Sequence, residues 1–174
     1  MKRIGMTLAL LLAVSLANSP TASAATDKGS FDWHIAPAVN ETTAPNGDVL
    51  HIQGNGKLNF GNRTATGGGT LTHTLASGGT ITADWTATGL LDFQFYGCGP
   101  TPPFPSNFCG GKAMMTVHIT AQGGALQHDG TLWVFCLLGS PPAGAQEGVR
   151  LNVPGIVNFN NIVDGMTVFI DTSP

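Results

Sequence analysis

Residues 67–97 read GGGTLTHTLASGGTITADWTATGLLDFQFYG, and this stretch decides the fold class. Polar and apolar side chains alternate over 70–75 and 80–86, a period of two that indicates a sheet with one buried and one exposed face. Glycine-containing turns are expected at Ser77-Gly78-Gly79 and Thr88-Gly89. The stretch therefore predicts a three-stranded antiparallel meander. Its predicted inward side chains are Leu71, Leu75, Ile81, Trp85, Leu91, Phe93 and Phe95.

Short runs of the same kind recur along the chain, with turn signals about every 8 to 12 residues. Asn46-Gly47 predicts one of these turns and Gly54-Asn55-Gly56 another. Leucine-rich helical periodicity is missing, and only 10% of the residues are charged. We predict an all-β domain, either an antiparallel β-sandwich or a closed β-barrel of about ten strands.

The N-terminal 24 residues have the pattern of a secretory signal peptide. Lys2 and Arg3 precede an apolar run over 6–16, and the small residues Ala22-Ser23-Ala24 follow it. The run is shorter than the roughly 20 apolar residues of a membrane-spanning helix. We predict cleavage after Ala24, a single all-β domain over 25–174 and a secreted product without a membrane span.

The charge balance excludes some classes of partner. Two of the seven basic residues lie in the predicted signal peptide, and ten residues are acidic, so the mature chain is expected to be acidic. Nucleic acids and anionic membranes both require clustered Lys and Arg. We expect a monomer that binds neither. No histidine or cysteine spacing matches a metal site, and no metal or cofactor is expected.

Three cysteines allow at most one intramolecular disulfide, which can be drawn in three ways. We favour Cys98–Cys109 because it closes a short loop of stiff residues. Cys136 would then be a buried thiol in an apolar run, without the electropositive surroundings that a nucleophilic thiolate needs.

His73 is the histidine that the alternation places on the inward face, between Leu71 and Leu75. A buried imidazole needs a hydrogen-bond partner. One interpretation is a structural histidine bonded to a neighbouring carbonyl. The other is a polar group in an internal cavity that orients a ligand or exchanges a proton.

Segment 97–111 is the most irregular part of the chain. Its four prolines disfavour sheet pairing, so it is predicted to be a surface loop. Phe104 and Phe108 either dock back onto the domain or act as recognition anchors for a partner. Tyr96 lies at the adjacent strand end.

These features favour a secreted, non-enzymatic domain that binds a small molecule, a glycan or a protein surface through the 97–111 loop. The predicted ligand-binding residues are His73, Tyr96, Phe104 and Phe108. One alternative is a small barrel enzyme, an isomerase, cyclase or hydrolase, with an interior site around His73. Another is a structural cell-envelope protein. No catalytic motif is assembled, so no residue is assigned a catalytic role. A cavity of more than about 300 Å³ touching His73 would favour an interior site.

Overall fold

The computed structural model describes residues 29–99 and 102–173, and every regular element within them is a β-strand. The predicted signal peptide lies outside the described residues. In the described part of the chain, no helix is long and apolar enough to cross a membrane. The all-β prediction is confirmed. The strands are β1 (Ser30–Ile35), β2 (Glu41–Thr43), β3 (Val49–Asn59), β4 (Thr64–Thr74), β5 (Thr80–Cys98), β6 (Phe108–Ala121), β7 (Gln127–Cys136), β8 (Gly148–Val153), β9 (Val157–Phe159), β10 (Asn161–Asp164) and β11 (Thr167–Asp171).

All eleven strands belong to one antiparallel sheet, and part of this sheet closes on itself. Strands β3, β4, β5 and β6 pair in chain order. β6 also pairs with β11, β11 with β1, and β1 with β3, which completes a circuit of six strands. Of the two predicted architectures, the sheet therefore adopts the closed barrel. β7, β8 and β9 extend it from β6, while β2 and β10 extend it from β3 and lie against β8.

Two tryptophans stack in the middle of the barrel interior. Trp33 on β1 and Trp85 on β5 are buried, with ring centroids 5.5 Å apart and an angle of 23° between the ring planes. Glycines on β3 make room for both rings. A Cβ atom on Gly54 would lie 2.7 Å from Trp85, and one on Gly56 would lie 2.6 Å from Trp33. The predicted turn at Gly54-Asn55-Gly56 is wrong, because β3 continues through these residues and uses the glycines for close approach of the indoles.

β5 is a single strand of 19 residues, so the predicted turn at Thr88-Gly89 is also wrong. The register against β6 shifts there and again between Leu90 and Asp92. Each such bulge moves the side chains that follow it to the opposite face. Leu90 is therefore buried, while Leu91, predicted to point inward, is 39% exposed. Phe93, beyond the second bulge, packs against the core again.

The predicted turns at Asn46-Gly47 and Ser77-Gly78-Gly79 are confirmed. Gly47, Gly78 and Gly79 all have the positive φ angles that such turns need. The Leu75 amide donates to the Gly79 carbonyl at 3.0 Å and closes the β4–β5 hairpin. Because β3 and β4 are antiparallel, the two turns lie at the same end of the barrel.

Phenylalanines fill the opposite end of the interior. Phe93 stacks on Phe60 with ring centroids 4.7 Å apart and meets Phe169 edge-on at 5.1 Å. Phe31 lies 5.3 Å from Phe60 and completes the cluster. The tryptophan pair thus separates an aromatic core at one end from an aliphatic interior at the other.

We expect Gly56→Ala to destabilise the fold by about 3 kcal/mol, the upper range for overpacking a core. The added methyl group would overlap the carbonyl oxygen of Thr66 and press on the Trp33 ring. Urea denaturation measures the effect. Gly89→Ala is the matched control, since its nearest contact is the Thr116 hydroxyl at 3.2 Å, and it should cost less than about 1 kcal/mol. Equal losses in the two variants would contradict the proposed role of the glycines.

Candidate functional site

A cavity of about 330 Å³ lies at the end of the barrel marked by the two confirmed turns. Its walls are contributed by β3 to β9 and by the adjoining loops, and most of the lining side chains are aliphatic. Asp48, His73 and His128 are the polar residues among the described lining residues. A mostly apolar wall with a few polar groups is typical of a small-molecule site.

Small side chains on the inward face create this space. Ala83 of β5 and Ala121 of β6 are direct partners in the ladder, and both line the cavity. The rim carries apolar side chains that are largely in solvent, Leu126 at 52% and Ile156 at 55% exposure. Both lie at turns between strands, so the loops after β6 and β8 border the cavity.

His73 lies on the inward face of β4, opposite Leu50 of β3 and Ile81 of β5. Its side chain is 15% exposed, and Nε2 lies 2.7 Å from Oδ2 of Asp48. The ring also meets Phe159 edge-on, with centroids 5.0 Å apart. The hydrogen-bond partner of the imidazole is therefore a carboxylate rather than the backbone carbonyl of the structural interpretation.

Asp48 is buried and both of its carboxylate oxygens accept hydrogen bonds. The Ala76 amide donates to Oδ1 at 2.9 Å, and His73 donates to Oδ2. The bond from Ala76, followed by the bond from His73, lowers the pKa of Asp48 below its ordinary value of 3.8, although burial acts in the opposite direction. Asp48 is therefore ionised at neutral pH, and Nε2 of His73 carries the proton that points at it.

The second imidazole nitrogen is available for other interactions. Nδ1 of His73 makes no hydrogen bond with any described residue, and this atom is not fully buried. In the neutral ring this atom carries a lone pair, which can accept a hydrogen bond or a proton. The described lining residues include no serine, threonine or cysteine that His73 could activate as a nucleophile.

The other predicted ligand-binding residues lie at the opposite end of β5 and β6. Phe104 is 51% exposed, its ring centroid is 6.3 Å from that of Phe108, and both line a second, mostly apolar groove of about 440 Å³ together with Met166. Tyr96 is buried nearby, and desolvation raises its pKa. The structure thus brings Phe104 and Phe108 together and places His73 in a separate cavity.

The disulfide joins Cys98 to Cys109, which are also partners in the β5–β6 ladder. Sheet pairing extends to these residues, so the loop is shorter than the predicted 97–111 segment. Cys136 is a free, buried cysteine, and burial raises the pKa of its thiol to about 11. It is therefore protonated at neutral pH and unsuited to nucleophilic chemistry.

No group of three or more His, Cys, Asp or Glu side chains in the described ranges could hold a metal ion. The sequence interpretation missed Asp48 as the partner of His73, because the two residues are 25 positions apart. Asp48 directly follows the predicted turn at Asn46-Gly47, but its proximity to His73 depends on the β3–β4 pairing, which the sequence analysis did not predict.

Comparisons with protein-family models, with curated proteins and with solved structures found no match. No residue role is transferred to this chain from another protein. The cavity, the Asp48–His73 pair and the groove beside the disulfide are therefore the features from which a function can be inferred.

Asp48→Asn should destabilise the protein at neutral pH but much less at acidic pH. The folded-state pKa of Asp48 is lowered, so its ionisation stabilises the fold above the ordinary value of 3.8, and this contribution is lost as the pH falls through the lower, folded-state pKa. Chemical denaturation of wild type and variant between neutral and strongly acidic pH measures the difference. A difference in stability that does not change with pH would contradict the ionised hydrogen-bonded pair.

Proposed function

We propose that the protein binds a small apolar molecule inside the cavity that contains His73 and acts as a binding protein. The observation that carries the proposal is the combination of an aliphatic cavity of about 330 Å³ with one oriented hydrogen-bonding pair, Asp48–His73. Close-packed interiors contain few voids larger than a water molecule. The apolar cavity is far larger than such a void and is better explained by a ligand than by imperfect packing.

The size and rim of the cavity agree with this role. Ligand sites generally measure about 300 to 1,000 Å³, so the cavity lies at the lower end of that range and suits a small molecule. Leu126 and Ile156 expose apolar surface at the rim, where a ligand would enter. Burial of such surface by the ligand adds to the free energy of binding.

A specific observation favours an enzyme as a second candidate. The Asp48 carboxylate fixes the imidazole of His73 and leaves Nδ1 free, which is the arrangement of a general base. Proton transfer would also need a donor that stabilises charge developing on the substrate. Among the described lining residues the remaining polar side chain is His128, which is exposed at the rim. Binding without chemistry is therefore the better-supported proposal.

The disulfide supports location outside the cytoplasm. Disulfides form and persist in oxidising compartments, and Cys98–Cys109 joins two neighbouring strands of the barrel. Together with the predicted signal peptide, this favours a secreted protein.

The neutral fluorophore N-phenyl-1-naphthylamine tests the proposal, because its emission rises in an apolar environment. We expect saturable binding to the wild-type protein. Ala121→Phe should weaken binding at least about tenfold, since the added ring occupies the space next to Ala83. Fluorescence titration gives both dissociation constants.

Ala121→Ser is the matched control, because it changes the same position without filling the cavity. Thermal denaturation should show all three proteins folded. The proposed cavity site would be contradicted if the wild-type protein showed no saturable binding, or if the Ala121→Phe variant bound the fluorophore as tightly as wild type.

The groove beside the disulfide supports another candidate, recognition of a partner through Phe104 and Phe108. Phe104 on the proline-rich loop, Phe108 at the start of β6 and Met166, which is 60% exposed, together line this apolar groove. Rigid loops that expose aromatic side chains are suited to recognition because little entropy is lost on binding.

Replacing both Phe104 and Phe108 with alanine should leave the melting temperature within about 2 °C of wild type, because Phe104 is half exposed and Phe108 is only partly buried at the end of β6. Retention on a phenyl-substituted chromatography resin should fall. Leu126→Ala, which removes an exposed apolar side chain at the other end, is the control for non-specific retention. A large fall in the melting temperature would instead identify the loop as a plug that closes the barrel.

A further inference from the structure

We infer that the cavity selects neutral molecules that carry a hydroxyl group, alcohols or phenols, and that this hydroxyl donates a hydrogen bond to Nδ1 of His73. This inference rests on the proposed binding function and adds the chemical class of the ligand. Three observations carry it: the hydrogen bonds that already hold both oxygens of the Asp48 carboxylate, the second nitrogen of His73, which bonds to no described residue, and the absence of lysine and arginine among the described lining residues.

The Asp48 carboxylate is already held by hydrogen bonds from the protein. Oδ1 of Asp48 accepts the Ala76 amide at 2.9 Å, and Oδ2 accepts Nε2 of His73 at 2.7 Å. Losing either bond would leave a buried charge with fewer partners, which is costly. The ligand is therefore expected to leave this carboxylate bonded to the protein.

The tautomer of His73 determines what the ligand must provide. Because the Asp48 carboxylate is an acceptor 2.7 Å away, Nε2 carries a proton, and in the neutral form of the ring Nδ1 is then an acceptor. The Phe159 ring, edge-on at 5.0 Å, helps to fix the orientation of the imidazole. An oriented acceptor in an apolar wall favours a ligand with a matching donor, and a hydroxyl group is the smallest one that a mostly apolar molecule carries.

The charge of the site disfavours anionic ligands. Asp48 already brings one negative charge to the cavity wall, and the described lining residues include no lysine or arginine. A carboxylate ligand would add a second negative charge in apolar surroundings, where an uncompensated charge is strongly unfavourable. Fatty acids and other apolar carboxylates should therefore bind less well than alcohols or phenols of the same shape.

Three probes with the same ring system separate these effects: naphthalene, 2-naphthol and 2-naphthoate, measured at neutral pH. We expect 2-naphthol to bind about tenfold more tightly than naphthalene, the ratio that corresponds to one net hydrogen bond. 2-Naphthoate, which is ionised, should bind more weakly than naphthalene. Displacement of N-phenyl-1-naphthylamine gives the three affinities with wild-type protein, so this ranking does not depend on any variant.

Variants of the cavity histidines then test which imidazole accepts the hydrogen bond from the ligand hydroxyl group. His73→Leu should reduce the preference for 2-naphthol over naphthalene to less than about twofold while leaving naphthalene affinity within about threefold of wild type. His128→Leu tests the other imidazole of the cavity lining, and His118→Leu, which removes an imidazole that is not among the lining residues, is the control that should keep the preference. If His73→Leu folds poorly because Asp48 loses its partner, the double variant Asp48→Asn, His73→Leu removes the uncompensated charge as well.

The outcomes distinguish this inference from the function on which it rests. Binding of the probes with equal affinity for naphthalene and 2-naphthol, or tightest binding of 2-naphthoate, overturns the inference and leaves the cavity as a general apolar site. A preference for 2-naphthol that survives in His73→Leu but is lost in His128→Leu also overturns it. Absence of binding by all three probes and by the fluorophore overturns both proposals.

Discussion

The stacking of Trp33 on Trp85 is the interaction on which the rest of the interior depends. The two indoles come from strands on either side of the β3–β4 hairpin, and they meet because glycines on that hairpin carry no side chains between them. Gly54 faces Gly69 across the ladder, and Gly56 faces Gly67. Side chains at these positions would hold the rings apart, so the glycines and the tryptophans form one structural unit.

This unit divides the barrel into two halves with different packing. On one side the phenylalanine cluster around Phe93 fills the interior with large rings in direct contact. On the other side the inward positions of β5 and β6 carry Ala83 and Ala121, and neither indole is among the residues that line the cavity. The cavity therefore lies where the inward side chains are small, while large rings occupy the other side.

The sequence predicted the features that depend on local patterns. Alternation around His73 predicted its inward orientation, and the Ser77-Gly78-Gly79 turn was predicted because positive-φ glycines suit tight hairpins. The disulfide was favoured on loop length, and Cys98 and Cys109 are indeed bonded. Each of these predictions needs information from only a few neighbouring residues.

The wrong predictions concern glycines whose role depends on distant residues. Gly54 and Gly56 were interpreted as a turn, but their partners are indoles on β1 and β5, which cannot be identified before the strand pairing is known. Gly89 was also assigned to a turn, although the chain there forms a bulge within β5. The bulges change which face of the sheet Leu91 occupies. A bulge that is not predicted therefore leads to wrong predictions of which side chains point inward.

The Asp48–His73 pair is the part of the cavity that packing does not explain. Asp48 has a structural task, since it accepts the amide of Ala76 and ties the β4–β5 turn to the start of β3. Its second oxygen is held by His73, at a position where a leucine would match the neighbours Leu71 and Leu75. Burying an imidazole beside a carboxylate in an aliphatic wall costs desolvation free energy that an apolar side chain would not. The pair therefore supports a role in ligand recognition, since it places one oriented acceptor where the fold alone requires none.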